Sequence, residues 1–207
     1  MAREGWPFIL IPLIAGSIIF IAGWRWPAYP CWLIGLFILW FFRDPERKPP
    51  PDETAVLSPA DGTVIDIKET EGNPFPGAKT LKISIFMSIF NVHVNRAPLS
   101  GIVEEIKYFP GKFFSANLDK ASRENEHNLI VLRTLREQKI AVVQIAGLVA
   151  RRIACWISPG EKIVRGQRFG LIRFGSRLEV YLPPATELVV KQKAKVRAGE
   201  SILGYLP

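Results

Sequence analysis

The chain has 207 residues, 48% of them hydrophobic, with a formal net charge of +8 and only two cysteines. That length holds one soluble domain plus an extra segment but not comfortably two domains. Two distant cysteines exclude a disulfide framework and any zinc spacing, which fits a reducing cytoplasmic setting, and the charge favours an anionic partner, either nucleic acid or an acidic lipid surface.

The hydrophobic excess is gathered at the start. No charge lies between Glu4 and Arg25, where WPFILIPLIAGSIIFIAGW supplies the about 17–25 apolar residues that a bilayer-crossing helix needs. A second uncharged stretch, WPAYPCWLIGLFILWFF, is borderline. Pro27 and Pro30 leave Cys31 to Phe42 as its clean helix, although a helix start tolerates proline. Trp24, Trp26 and Tyr29, between the two, are residue types that settle at a membrane interface. Arg43, Arg47 and Lys48 follow in RDPERK and predict a cytoplasmic C-terminal side, with the cluster beside the lipid surface. Two spans then put both ends inside. A secretory signal peptide fits poorly, because Glu4 cancels Arg3 and a second apolar stretch follows at once. A shallow hairpin that never fully crosses stays open. With an anchor present, lipid is the simpler anionic partner and nucleic acid is not expected.

PERKPPPDE, residues 45–53, reads as a proline-rich linker. From Val56 onward, short runs such as LKISIFMSIF, LIVLRTL, IAVVQIAGLV and LEVYL alternate with Gly, Pro, Asn and Asp, the pattern of strands and turns. A short helix is expected around Ser115–Glu124. PADGTVIDIK (59–68) and PLSGIVEEIK (98–107) share residues at the same offsets, as do IVRGQRFG (163–170) and VRAGESILG (196–204) with one insertion. The expected architecture is a mainly β chain, α+β at most. A membrane anchor of two hydrophobic helices (1–44) and a linker (45–55) lead into a β-rich domain (56–207) of two pseudo-repeated, hybrid-barrel-like halves.

Few residues can carry chemistry. His93 and His127 are the only histidines, too few for a histidine-rich metal cluster, and a single histidine in a β domain is often structural. Asp61 lies in an Asp-Gly pair that also signals a hairpin turn. Asn125 and Glu126 could be solvated loop residues. No phosphate-binding loop, GxGxxG or GxSxG occurs. The oddity is RFGSR at 173–177, a Gly-Ser pair between arginines inside a strand-like run. Glycine allows a strained backbone at low steric cost, so the Ser176 hydroxyl, activated by a base, could attack the preceding carbonyl. His93 and Asp61 would supply the base and its orienting group, in the logic of a Ser-His-Asp arrangement.

FFRDPER, SPADGTV, FMSIFNVHVNRAP, GKFFSANLDKASRENEHN, QIAGLVARRI and GQRFGLIRFGSRLEVYLP occur in this order. Together they resemble the short, membrane-anchored form of the pyruvoyl-dependent phosphatidylserine decarboxylases, from about Phe41 to the C-terminus. The resemblance implies self-cleavage between Gly175 and Ser176 into a large subunit (1–175) and a small one (176–207). Ser176 then becomes a covalent pyruvoyl group, with no metal, and forms a Schiff base with the amine of phosphatidylserine. Carbon dioxide leaves and phosphatidylethanolamine is released. His93 would act as base or proton relay and Asp61 would orient it. Arg173, Arg177, Ser115, Asn117, Asn125, Glu126 and His127 are the expected substrate-binding residues. The implied partners are an anionic membrane, on its cytoplasmic side, and the two subunits of one precursor; a homo-oligomer is compatible.

Two positions depart from the family pattern. Phe90 stands where longer members carry a second histidine, and His127 stands where an arginine-like residue is usual. Two rival readings use less of the sequence. A lipoyl-like membrane adaptor explains the repeats but leaves RFGSR, His93 and Asp61 idle. A pyruvoyl decarboxylase for another amino acid leaves the anchor idle.

Overall fold

The computed structural model describes residues 1–72, 74–116, 124–148, 152–173 and 175–207. It divides into two units, Met1–Glu46 and Arg47–Pro207. The expected helix near Ser115–Glu124 lies mostly at 117–123, outside the described residues. With 39% strand against 19% helix the chain is mainly β, and among the described residues its two α-helices belong to the first unit.

In that unit a 3-10 turn at Arg3–Gly5 runs into helix α1 (Trp6–Ile21). From Arg3 to Ile21 this is the one helix, among the described residues, that is long and apolar enough to cross a membrane. Helix α2 (Arg25–Phe41) starts before both of its prolines rather than after them. Pro27 falls in the first turn, where backbone N–H groups have no helical partner to lose, and Pro30 lies just inside. The helices run antiparallel: Phe20 packs on Trp32 at 5.3 Å, and Phe8 stacks on Phe42 at 6.2 Å. Ile11, Ile18, Ile21 and Leu33 are exposed, an apolar outer surface larger than a water-soluble monomer usually shows.

The second unit begins earlier than the sequence suggests. Arg47, inside the expected linker, is pinned to Asp61 at 3.0 Å and to Glu200 at 2.8 Å. Strands β1 (Ala55–Leu57), β2 (Gly62–Glu71) and β3 (Lys79–Met87) come first. Then follow β4 (Val94–Arg96), β5 (Gly101–Phe109), β6 (His127–Thr134), β7 (Lys139–Ala146), β8 (Ile153–Cys155), β9 (Lys162–Ile163) and β10 (Arg168–Ile172). The chain returns through β11 (Ser176–Leu182), β12 (Glu187–Leu188), β13 (Lys195–Val196) and β14 (Ile202–Tyr205).

One eight-stranded sheet, in the order β13-β2-β3-β11-β7-β6-β5-β9, curls into a half-barrel. Two three-stranded sheets, β1-β14-β12 and β4-β10-β8, complete the unit. Read from its centre, the large sheet is a palindrome. β3 and β6, β2 and β5, β13 and β9 occupy matching places on either side of the β11–β7 pair. The repeat seen in the sequence extends to single bonds. Val64 N–H donates to Ala194 O and Val103 N–H to Glu161 O, both at 2.9 Å. Gly199 N–H donates to Ser58 O and Gly166 N–H to Ala97 O, both at 2.8 Å. Even the ladder irregularities match, at Val64/Asp66 in β2 and Val103/Glu105 in β5.

Alternation along the strands sends Ile83, Ile85, Leu178, Val180, Ile130, Leu132, Ile140 and Val142 into one core. Ile85 pairs with Val64 and Leu132 with Val103, so the two are equivalent between halves. Ile85→Ala and Leu132→Ala should therefore each cost about 2–5 kcal/mol, by closely similar amounts. Denaturant unfolding of the full chain in detergent reads both values.

Candidate active site

β11 is an interior strand, hydrogen-bonded to β3 on one side and β7 on the other. Its first residue is Ser176, opposite Met87 and Ala146 and fully buried. The preceding Gly175 has φ = 69°, a conformation that an L side chain resists by about 1–2 kcal/mol. Glycine here turns the chain into the sheet while keeping the Gly175 carbonyl beside the buried hydroxyl. Ser176 Oγ has no hydrogen-bond partner among the described residues.

His93 reaches this bond from the other segment that links the halves, the run between β3 and β4. Ser88 N–H and Oγ both donate to Asn91 Oδ1, at 2.9 and 2.8 Å, and this tight turn sets the direction of the chain into His93. The Gly175 N–H donates to His93 Nε2 at 3.3 Å. With Nε2 accepting, Nδ1 carries the proton and donates to the Asn91 carbonyl at 2.9 Å. The imidazole is 1% exposed, so Nε2 and the Gly175 N–H it accepts are held away from water.

Asp61 is held elsewhere. Its carboxylate accepts Arg47 Nη2 at 3.0 Å and the Ala198 N–H at 2.8 Å, while the group facing His93 Nδ1 is the Asn91 carbonyl. Asp61 thus ties the segment before β1 to the turn after β13, and the expected direct support of His93 is replaced by a backbone oxygen. Arg47, grouped by sequence with a membrane-facing cluster, has a side chain only 10% exposed and serves this tie instead.

The other candidates divide. Asn125 is a buried clamp. It accepts the Phe114 N–H at 2.8 Å and donates to the Phe114 and Ala146 carbonyls at 2.7 and 2.8 Å, which fixes the end of β7 against Ser176. Glu126 uses its backbone to pair with Lys112 and Ala146. Burial first, and then a hydrogen bond to the Glu126 carboxylate, push the Tyr108 hydroxyl up to about 12. His127 stacks on Phe109 at 4.7 Å, with Nδ1 at 2.7 Å from the Asn125 carbonyl. Ser115 is exposed, and Asn117 lies outside the described residues. Arg173 is half-buried in the strand-to-glycine approach. Arg177 points to the face opposite Ser176, fully buried, with Ser84 Oγ and Glu179 Oε1 each at 2.9 Å. Burial and the neighbouring Glu179 carboxylate raise the Tyr181 hydroxyl on that same face. Among the described residues no cluster of His, Cys, Asp and Glu could hold a metal ion.

One feature escaped the sequence. Asn128 Nδ2 donates to Gln144 Oε1 at 3.1 Å, and Gln144 Nε2 donates to Asn95 Oδ1 at 2.8 Å. This buried amide relay crosses the core from β6 through β7 to β4, two residues from His93. Its only signal was a glutamine inside the apolar run IAVVQIAG.

A family model described as phosphatidylserine decarboxylase matches residues 34–204. The chain is 49% identical to the phosphatidylserine decarboxylase proenzyme of Cupriavidus metallidurans, over all of this chain and 95% of that one. Identity and coverage are the same for the proenzymes of Burkholderia mallei and Burkholderia pseudomallei. The chain belongs to the phosphatidylserine decarboxylase family.

Within a decarboxylase of this family, the geometry separates two roles that the sequence had joined. Asp61→Ala would leave the Ala198 N–H without its partner and the Arg47 guanidinium with Glu200 alone, at a cost of about 1–3 kcal/mol. His93→Ala should cost clearly less. Thermal unfolding of both variants in a Ser176→Ala background measures the difference.

Proposed function

We propose that the chain is the precursor of a membrane-held carboxy-lyase that cuts itself between Gly175 and Ser176 and converts phosphatidylserine into phosphatidylethanolamine and carbon dioxide. The observation that carries this reading is a fully buried serine hydroxyl, without a partner among the described residues, directly after a glycine at φ = 69° whose amide touches a histidine nitrogen. A buried hydroxyl without a partner costs about 1–3 kcal/mol, and a reactive centre is where such a cost is retained.

His93 Nε2 takes the proton of Ser176 Oγ as the oxygen adds to the Gly175 carbonyl carbon. The carbonyl–nitrogen bond then breaks, and the proton passes to the Ser176 nitrogen, leaving an ester and a free amine. Loss of the Ser176 Cα proton and cleavage of its Cβ–O bond release Gly175 as a carboxylate. The remaining enamine becomes an imine, and water displaces ammonia to leave a pyruvoyl group at residue 176. Intramolecular placement of nucleophile and carbonyl substitutes for the large effective concentration that such a reaction needs. The two products, 1–175 and 176–207, stay together because β11 is bonded along both edges.

Once formed, the pyruvoyl group supplies an electrophilic carbonyl that takes up the lipid's amine and draws off the electrons left as carbon dioxide departs. The chain's own residues bind and orient. Arg173 is assigned to the lipid's anionic groups, since Arg177 is committed to Glu179 on the face of β11 opposite Ser176. The N-terminal helix keeps the protein at the membrane, and the basic residues after α2 place the catalytic unit on the cytoplasmic side. There Arg43, 3.9 Å over the Trp40 ring, and Lys48 are each worth about 1 kcal/mol toward anionic lipid.

Purified protein should release carbon dioxide from phosphatidylserine in detergent micelles and lose that activity on treatment with a carbonyl reagent such as phenylhydrazine. Free serine should be a poor substrate. Activity that survives the reagent, or equal turnover of free serine, would overturn this assignment.

A further inference from the structure

The residue after β7, Gly147, meets the reactive bond. A Cβ built on it would collide with the Gly175 carbonyl oxygen and lie 3.1 Å from the carbonyl carbon. On the other side that Cβ would be 3.3 Å from the Cβ of Ala116, which is itself buried. Gly147 also cannot back away with its strand. The residue before it is fixed at both polar groups, with Ala146 N–H donating to Glu126 O at 2.9 Å and Ala146 O accepting Asn125 Nδ2 at 2.8 Å. Relief of a collision here falls on the Gly175 side.

The repeat separates this glycine from those that the fold itself demands. Four glycines inside strands also face a neighbouring backbone carbonyl, and they come as equivalent pairs: Gly62 with Gly101, at the starts of β2 and β5, and Gly170 with Gly204, in β10 and β14. Gly147 has no such counterpart, because the chain after β11 continues as Pro183, Pro184 and Ala185. What distinguishes its half is the carbonyl it faces, that of Gly175.

We propose that Gly147 is a positioning residue for self-cleavage: its missing side chain makes the space in which the Gly175 carbonyl stands within reach of Ser176 Oγ. This rests on the self-cleavage reading above. Clearing the collision moves the carbonyl by on the order of 1 Å, and a misplacement of that size costs about a hundredfold in rate.

The test follows processing over time after cell-free synthesis of the full chain with detergent, comparing wild type, Gly147→Ala and Gly101→Ala. Gly101→Ala is the control, since its Cβ would collide with the Arg133 carbonyl oxygen and lie 3.0 Å from that carbonyl carbon, away from the reactive bond. Thermal midpoints of both substitutions in a Ser176→Ala background report their structural cost. The expected result is similar midpoints, near wild-type cleavage for Gly101→Ala, and cleavage slowed about a hundredfold for Gly147→Ala. Equal cleavage rates in the two variants overturn the proposal. So does a Gly147→Ala chain that fails to fold where Gly101→Ala folds, because the glycine is then a requirement of the sheet. A wild-type chain that stays whole would instead bring down the self-cleavage reading itself.

Discussion

The geometry at the Gly175–Ser176 bond depends on where β11 enters the sheet. The chain leaves the first half after Met87, builds the whole second half, and returns through Gly175 to pair Ser176 with Met87 and Ala146. The two segments that connect the halves, one carrying His93 and the other Gly175, therefore meet at a single point. The same place in the second half is a plain hairpin: β6 and β7 are joined by a turn closed by Thr134 N–H to Gln138 O, at 2.9 Å, with Glu137 at φ = 59°. Matching Ile85 and Leu178 of one half to Leu132 and Ile140 of the other puts Gly175 in register with Glu137, and both have positive φ. The strained position is thus a hairpin-turn position whose hairpin has been opened, with a serine as the first residue beyond it.

The two faces of β11 are used differently. Ser176, Leu178 and Val180 face the main core, which the buried amide relay through Asn128, Gln144 and Asn95 also crosses. Arg177, Glu179 and Tyr181 face the other way and form a buried cluster with Lys82 and Ser84. Glu179 stands between Lys82 and Arg177, and Tyr181 donates to it at 2.6 Å. Buried charge of this kind contributes little net stability over an apolar core, but removing one member leaves the rest unpaired. The cluster therefore fixes the register of β11 between its neighbours, and a one-residue slip would exchange Ser176 with a charged residue.

Much of this was legible in the sequence because the signals were local or repeated. The paired PADGTVIDIK and PLSGIVEEIK runs became β2 and β5, down to the matching ladder irregularities. RFGSR gave away Gly175 by the rarity of glycine within a strand. The misplacements came from long-range contacts that no spacing encodes. Arg47 reads as juxtamembrane from its neighbours Arg43 and Lys48, yet its guanidinium answers a carboxylate fourteen residues on and another near the C-terminus. Asp61 reads as a partner for His93 by chemistry alone, whereas a backbone carbonyl fills that place. α2 begins ahead of Pro27 because a helix start does not need the N–H group that proline lacks, and it carries Pro30 inside it.

The central claim is that Ser176 cuts the chain from within, and denaturing mass spectrometry of the purified protein tests it most directly. The expected result is a fragment spanning 176–207, blocked at its N-terminus and lighter by one ammonia than the same peptide beginning with serine, and an intact Ser176→Ala chain. A wild-type protein that remains whole, or a fragment that begins with an ordinary serine amine, would contradict it.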